Sequence, residues 1–324
     1  MYKIKQIPED FIVEEIPKIN LGEGPYTYFI LEKKWWNTRD AIKAIASRLK
    51  VSEKYFNVAG IKDKHAISKQ YVSVLKVPKS KLESLRIKDI KIRVVGCGKE
   101  RLKLGQLKAN HFTVAVRNLD KKYEKVSFIE NYYDDQRFGG KNMLVGHALV
   151  KSEFRKACFM LRLKWKNTDY IGSLRKLGKH ILRIYVNSYQ SFLFNDALST
   201  YLKSKYKKFK LVDYSRGQFV FSNEKLANEN FPILGFLTDF KNKDIANIYH
   251  DIMLREKIKK EDFIMRSIPE LSSEGGYRKM FVQVEDLKVY YSKDELNKGK
   301  LKAVLDFKLP PGSYATIVIK KMFG

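Results

Sequence analysis

The chain has little of what builds metal and redox sites. It carries two cysteines in 324 residues, Cys97 and Cys158, and their separation fits neither a disulfide framework nor a zinc-ligand pair. The five histidines, His65, His111, His147, His180 and His250, are scattered and form no HExxH pair, which disfavours a metal hydrolase. No run approaches about 18 consecutive apolar residues, so no transmembrane helix is expected. The opening MYKIKQIPEDF lacks the apolar core of a secretion signal. With so few cysteines, a cytoplasmic location is the expectation. A glycine-rich cofactor loop is also missing. The nearest candidate, Leu21-Gly22-Glu23-Gly24-Pro25, has no third glycine and runs into a strand pattern, which argues against a nucleotide-cofactor methyltransferase.

Acidic residues are scarce beside the basic ones. Lysine plus arginine total 64 against 36 aspartate plus glutamate, a formal charge of +28. A cation-rich surface suited only to heat would raise glutamate together with lysine. This imbalance favours a polyanionic partner, bound by neutralising phosphates and releasing counterions. The charge is spread along the chain and not gathered on one amphipathic segment, so a nucleic acid fits better than a membrane surface. No obligate protein partner is implied.

At about 150 residues per domain the length suggests two domains. Strand patterns dominate the first 120 residues. Phe11–Glu15, Tyr26–Glu32, Tyr71–Leu75, Ile90–Val95 and Phe112–Val116 alternate or are rich in aromatic and β-branched residues. Asn37-Thr38 offers a helix cap, followed by Ile42, Ile45 and Leu49 at helical spacing. Helical periodicity then predominates over Leu144–Trp165 and Leu174–Tyr206. Further on, Gln218–Ser222 reads as a strand and Lys243–Leu254 as a helix, while Leu301–Leu309 and Tyr314–Ile319 read as closing strands around Pro310-Pro311-Gly312-Ser313. The expected architecture is α+β: a sheet domain with helices, interrupted by a mostly helical insertion.

Two stretches stand out chemically. In Val58-Ala59-Gly60-Ile61-Lys62-Asp63-Lys64-His65-Ala66 an aspartate lies between two lysines after a glycine. Neighbouring cations favour the ionised carboxylate, which can then act as a nucleophile, and Lys62 and Lys64 can hold a phosphate backbone. The same pattern also describes an ordinary charged surface turn. In Asn131-Tyr132-Tyr133-Asp134-Asp135-Gln136-Arg137-Phe138-Gly139-Gly140 the aromatics can stack on unpaired bases, while Asn131, Gln136 and Arg137 can read base edges or phosphates. Core aromatics beside a polar turn would look alike. Lys5-Gln6-Ile7-Pro8-Glu9-Asp10-Phe11 places a lysine and an aromatic at a strand start. Arg101–Phe112 is a basic loop feeding a strand, and Asn187–Asn195 reads as a helix whose aromatic face packs in the core.

Taken in order, these segments resemble the TruD family of pseudouridine synthases. The resemblance rests on PEDF, AGIKDKHA, the RLKLGQLKANHF loop, the NYYDDQRFG stretch, an SxxxxLFN helix and LPPGSYAT. It implies a mixed, largely antiparallel sheet flanked by helices, with residues 1–156 and 283–324 forming the catalytic domain and 157–282 an inserted domain. It implies isomerisation of uridine in tRNA, usually at uridine 13, with no cofactor and no metal. It assigns the nucleophile to Asp63, places Lys5 beside it and sets Tyr133 against the target base, with Phe11 and Asn131 in supporting positions. Bacterial members commonly have Phe-Gly where this chain has Tyr133-Asp134, so a hydroxyl is added near the base. Asp134 would weaken RNA contact if it faced the cleft. The competing reading is an RNA-binding protein or RNA chaperone without catalysis.

Overall fold

A computed structural model describes every residue except Asp63, His65 and Leu104. Contacts divide the chain into two compact units. The first comprises Met1–Ser127, Gln283–Ala315 and Met322–Gly324, and the second Phe128–Val282 with Thr316–Lys321. Both units hold residues that the sequence reading gave to the catalytic part. Among the described residues no helix is long and apolar enough to cross a membrane.

The first unit is built on a sheet of nine strands among the described residues. Its main order is Glu285–Lys293, Leu301–Leu309, Leu107–Leu119, Phe11–Pro17, Ile67–Leu75, Tyr26–Lys33, Ile90–Gly98. The short strand Lys3–Ile4 pairs with Leu107–Leu119, and Phe56–Val58 pairs with Ile67–Leu75. Among the described residues only the contact between Phe11–Pro17 and Ile67–Leu75 in this sheet is parallel, so the sheet is largely antiparallel, as expected. The parallel pair sets Ile12 opposite Ile67, and the antiparallel pairing with Leu107–Leu119 sets Phe11 opposite Val114. The PEDF motif and the strand that follows AGIKDKHA are thereby neighbours.

The helix announced by Asn37 spans Thr38–Leu49, and the Asn37 side chain accepts the Asp40 N–H. Ala41, Ile45 and Ala46 are buried against Phe29, Leu31, Val72 and Val74, with Ile42 and Leu49 packed at the edge. Each fully buried aliphatic or aromatic side chain contributes roughly 1.5–3 kcal/mol, so this apolar face fixes the helix on the sheet.

The second unit centres on the 27-residue helix Lys179–Lys205. Leu182, Val186, Tyr189, Leu193, Phe194, Ala197, Leu198, Tyr201 and Leu202 are buried along it. The sequence reading began this helix at Leu174. Gly178, at φ +80°, instead separates it from the short helix Tyr170–Arg175. Likewise the periodic stretch Leu144–Trp165 is two helices, Asn142–Val150 and Phe154–Met160, with Ser152 left-handed between them. The helix Lys243–Glu256 is capped by Asn242, and the hairpin Lys210–Tyr214/Gly217–Phe221 covers the predicted strand at 218–222.

One expectation fails. Tyr314–Ile319 is not a strand, because Ala315–Phe323 forms a helix. The β-branched run imitates strand alternation, but Ala315, Val318, Ile319 and Met322 are all buried at helical spacing. The preceding strand stops at Leu309, where Pro310-Pro311 can no longer supply ladder donors.

Candidate active site

In the first unit, the PEDF segment is shaped by buried charge. Asp10 is almost fully buried, and its Oδ2 accepts the backbone N–H groups of Gln6 at 3.0 Å and Ile7 at 3.2 Å. Its Oδ1 accepts from Arg117 Nε at 2.8 Å. The same guanidinium donates to Asp294 at 2.9 Å and Glu295 at 3.0 Å. Burial alone would raise the Asp294 pKa, but the N–H groups of Asn118 and Leu296, Asn297 and Arg117 outweigh it and bring it down to about 2.

This clamp holds Lys5 in a left-handed conformation, φ +56°. For a residue with a Cβ, that geometry costs on the order of 1–2 kcal/mol. The Lys5 ammonium lies 4.4 Å from the centre of the Phe11 ring, a distance at which the ring face attracts a cation. The fold therefore brings Lys5 and Phe11 together.

Asp63 lies outside the described residues, but the backbone just before it is held firmly. The Lys62 N–H donates to Thr38 Oγ1 at 2.8 Å, and that hydroxyl donates to Gln70 Oε1 at 2.8 Å. The Lys62 ammonium donates to Asn110 Oδ1 at 2.7 Å and pairs with Glu15 at 3.1 Å. Glu15 also accepts the Tyr71 N–H at 2.9 Å. Burial pushes the Glu15 pKa up, and Lys62 opposes that shift. Gly60 passes so close to Glu15 that a Cβ there would sit 3.1 Å from its carboxylate. Lys62 thus ties this loop to Glu15 and Asn110. Lys64 is exposed. The basic loop joins here as well, since the Gly105 N–H donates to Ala59 O at 2.8 Å, and Arg101, Lys103 and Lys108 are exposed.

In the second unit, Tyr133 is gripped from both sides. Asn195, fully buried on the long helix, accepts the Tyr133 N–H at 2.9 Å and donates to its C=O at 2.7 Å. The ring meets Phe194 edge-on at 5.5 Å, and the Arg278 guanidinium lies 4.3 Å from its centre, with that of Arg137 at 5.5 Å. Arg278 also donates to Asn131 O at 2.8 Å and to Asn131 Oδ1 at 2.5 Å. Asn131 Nδ2 donates to Lys279 O at 2.9 Å, and Arg137 Nε to Ser191 Oγ at 3.0 Å. Asn131, Tyr133 and Arg137 therefore form one cluster, while Gln136 is exposed.

Asp134 does not present its charge to solvent. It is buried, and its carboxylate accepts from Lys320 at 2.6 Å, beside Asp135 at 2.7 Å from the same ammonium. Burial would lower the Lys320 pKa, but the two carboxylates raise it above its usual value. Tyr132 turns into the core and hydrogen-bonds Ser199 and the backbone of Val220.

Sequence reasoning missed Arg278, Lys320 and Glu15. Asn195 closes the LFN motif, where core packing was expected. It is in the core, and from there it orients Tyr133. Nothing local marks Arg278 or Lys320, which meet their partners only in the folded chain.

The profile of the family described as tRNA pseudouridine synthase D (TruD) matches residues 2–164 and 158–322. The tRNA pseudouridine synthase D of Aquifex aeolicus is 30% identical over 99% of this chain and 98% of its own length. A probable tRNA pseudouridine synthase D of Methanosarcina barkeri is 28% identical over 98% and 92%. The crystal structure of the TruD protein of Methanosarcina mazei superposes with a TM-score of 0.72 at 26% identity, covering 98% of this chain and 92% of that one. The chain belongs to the tRNA pseudouridine synthase D family.

Proposed function

We propose that the chain isomerises uridine 13 of tRNA to pseudouridine, with Asp63 as nucleophile and without a cofactor. As a family member it is a tRNA pseudouridine synthase, an isomerase. The observation that carries the finer reading is the AGIKDKHA motif, whose Lys62, next to Asp63 in the chain, is fixed by Thr38, Asn110 and Glu15. A loop held that tightly on its N-terminal side can present a carboxylate in one place.

The reaction breaks the N1–C1′ bond, turns the uracil and rejoins C1′ to C5. N1 ends protonated and the C5 hydrogen leaves to water. No electrons are exchanged with an outside acceptor, so the chemistry needs no redox cofactor. The target must leave the base stack, at a cost of a few kcal/mol, which cationic and aromatic contacts of the protein can offset. Asp63 attacks the sugar or the ring. Lys5 keeps the carboxylate ionised and oriented. Tyr133 lies against the detached uracil, and its hydroxyl helps the C5 proton leave. Arg278 and Asn195 set the plane of that ring. Exposed Lys64, Arg101, Lys103 and Lys108 contact the RNA backbone.

The test is tritium release from tRNA labelled at uridine C5. Asp63→Asn is expected to keep the melting temperature and tRNA affinity of the parent while release falls to background. Substantial turnover by the variant sinks the assignment. Tight, salt-dependent binding with no release by the unaltered chain would favour the non-catalytic RNA-binding reading.

A further inference from the structure

An open cavity of about 870 Å³ lies in the second unit, at the turns between the helices Asn142–Val150, Phe154–Met160 and Tyr170–Arg175. Phe154, Phe159, Trp165 and Tyr170 line it together with Ser152, Glu153, Arg155 and Lys156, and Lys156 pairs with Glu153 at 2.8 Å, which leaves Arg155 as the lining cation outside that pair. That volume is within the range of small-ligand sites, roughly 300–1,000 Å³. None of these residues belongs to the Tyr133 cluster.

Packing within the fold does not account for these rings. Phe159 is 75% exposed and leaves most of its possible burial energy unrealised, and Trp165, though largely packed, keeps 37% of its surface open. Yet the wall beneath them is rigid. Trp165 and Tyr170 meet at 5.4 Å and 61°. The Tyr170 carbonyl accepts from the buried Cys158 Sγ at 3.4 Å. Asp169 Oδ1 accepts the Gly172 N–H at 2.7 Å, and Ser173 Oγ donates to Lys164 O at 3.1 Å, closing the loop behind Trp165. A preset aromatic surface loses little freedom on binding a flat ligand.

The rim decides what that ligand is. Between residues 151 and 166 the chain carries Lys151, Arg155, Lys156, Arg162, Lys164 and Lys166 against the single acid Glu153. A second copy of this face would bring like charges together, which is costly. A group with a planar apolar face and an anionic edge matches both features, and a nucleotide is such a group. We propose that this cavity is an RNA subsite that stacks an unpaired base of the tRNA substrate on Phe159 and Trp165 while the surrounding cations hold its phosphates. The inference rests on the tRNA reading above and adds a contact remote in sequence from every motif of the family resemblance.

The test compares the full-length chain with Phe159→Ala, Trp165→Ala and the double variant. Dissociation constants are measured for an unmodified tRNA transcript and for a fully paired RNA duplex. Each ring is expected to be worth about tenfold on tRNA, as base–aromatic stacking is, and less than about twofold on the duplex. Ultraviolet cross-linking should place tRNA adducts on the peptides that carry Phe159 and Trp165. Equal losses on both RNAs, or no loss on tRNA, would overturn the subsite while leaving the tRNA reading intact. If the unaltered chain bound no tRNA, both would fall. A concentration-dependent dimer, or adhesion to anionic vesicles, that disappears in Phe159→Ala would also overturn it. Should Trp165→Ala lower the melting temperature, the highly exposed Phe159 carries the test alone.

Discussion

Around Lys5 the first unit holds charge with charge, whereas around Tyr133 the second holds an aromatic ring with neutral amides and a guanidinium face. Asp10, Asp294 and Glu295 converge on Arg117, and Asp10 also holds the N–H groups of Gln6 and Ile7 next to the left-handed Lys5. Tyr133 instead owes its place to the two hydrogen bonds of Asn195 and to Arg278, which is tied to Asn131. The contrast suits the roles proposed for the two residues. A lysine that orients a nucleophile must stay charged and fixed, and buried ion pairs do this at a high desolvation cost. A ring that lies against a turning uracil needs a fixed plane more than a fixed charge.

The contrast can be broken most forcefully at Arg117. Arg117→Met leaves Asp10 and Asp294 buried without their cation and is expected to cost about 3–5 kcal/mol of stability, read by urea unfolding. The pH dependence has a definite sign. The folded pKa of Asp294 is depressed to about 2, so its contribution is complete above the ordinary aspartate value near 3.9 and is lost as pH falls toward 2. Arg117→Met should flatten that acid limb. An unchanged limb would mean that the N–H donors alone hold Asp294.

Lys5→Met should come next in size. Turnover is expected to fall about 100-fold, the scale of removing one preorganised charge partner, with tRNA affinity nearly unchanged. A change confined to the dissociation constant would move Lys5 from chemistry to binding. Smaller again, Arg278→Leu should lower turnover about tenfold with little loss of stability, because a half-exposed cation–π contact and its hydrogen bonds are worth about 1–2 kcal/mol. Arg278→Lys restores charge but not the two-pronged grip on Asn131, and should stay impaired. Full rescue by lysine would show that charge alone acts there. Asp63, Lys5 and Arg278 variants together separate loss of chemistry from loss of orientation.

How far these features could be read from sequence follows from the distance between partners. The helix after Asn37 and most strands of the sheet follow local alternation and capping, and they stand where the pattern put them. Tyr314–Ile319 misled because a run of β-branched residues carries no period of its own, and only burial of Ala315, Val318 and Met322 reveals the helix. The motif residues Lys5, Phe11, Asn131 and Tyr133 were legible as contiguous strings. Their supports were not. Arg117 meets Asp294 across 177 residues and Arg278 meets Asn131 across 147. Lys320, which neutralises Asp134, comes from the last helix. From sequence Asp134 looked like a charge that could repel RNA, and the fold pairs it internally.

The most direct measurement is to incubate the purified chain and its Asp63→Asn variant with an unmodified tRNA transcript, then map pseudouridine at single-nucleotide resolution. The account predicts one pseudouridine, at position 13, made by the unaltered chain and absent with the variant. No pseudouridine from the unaltered chain, or equal amounts from both, would contradict it.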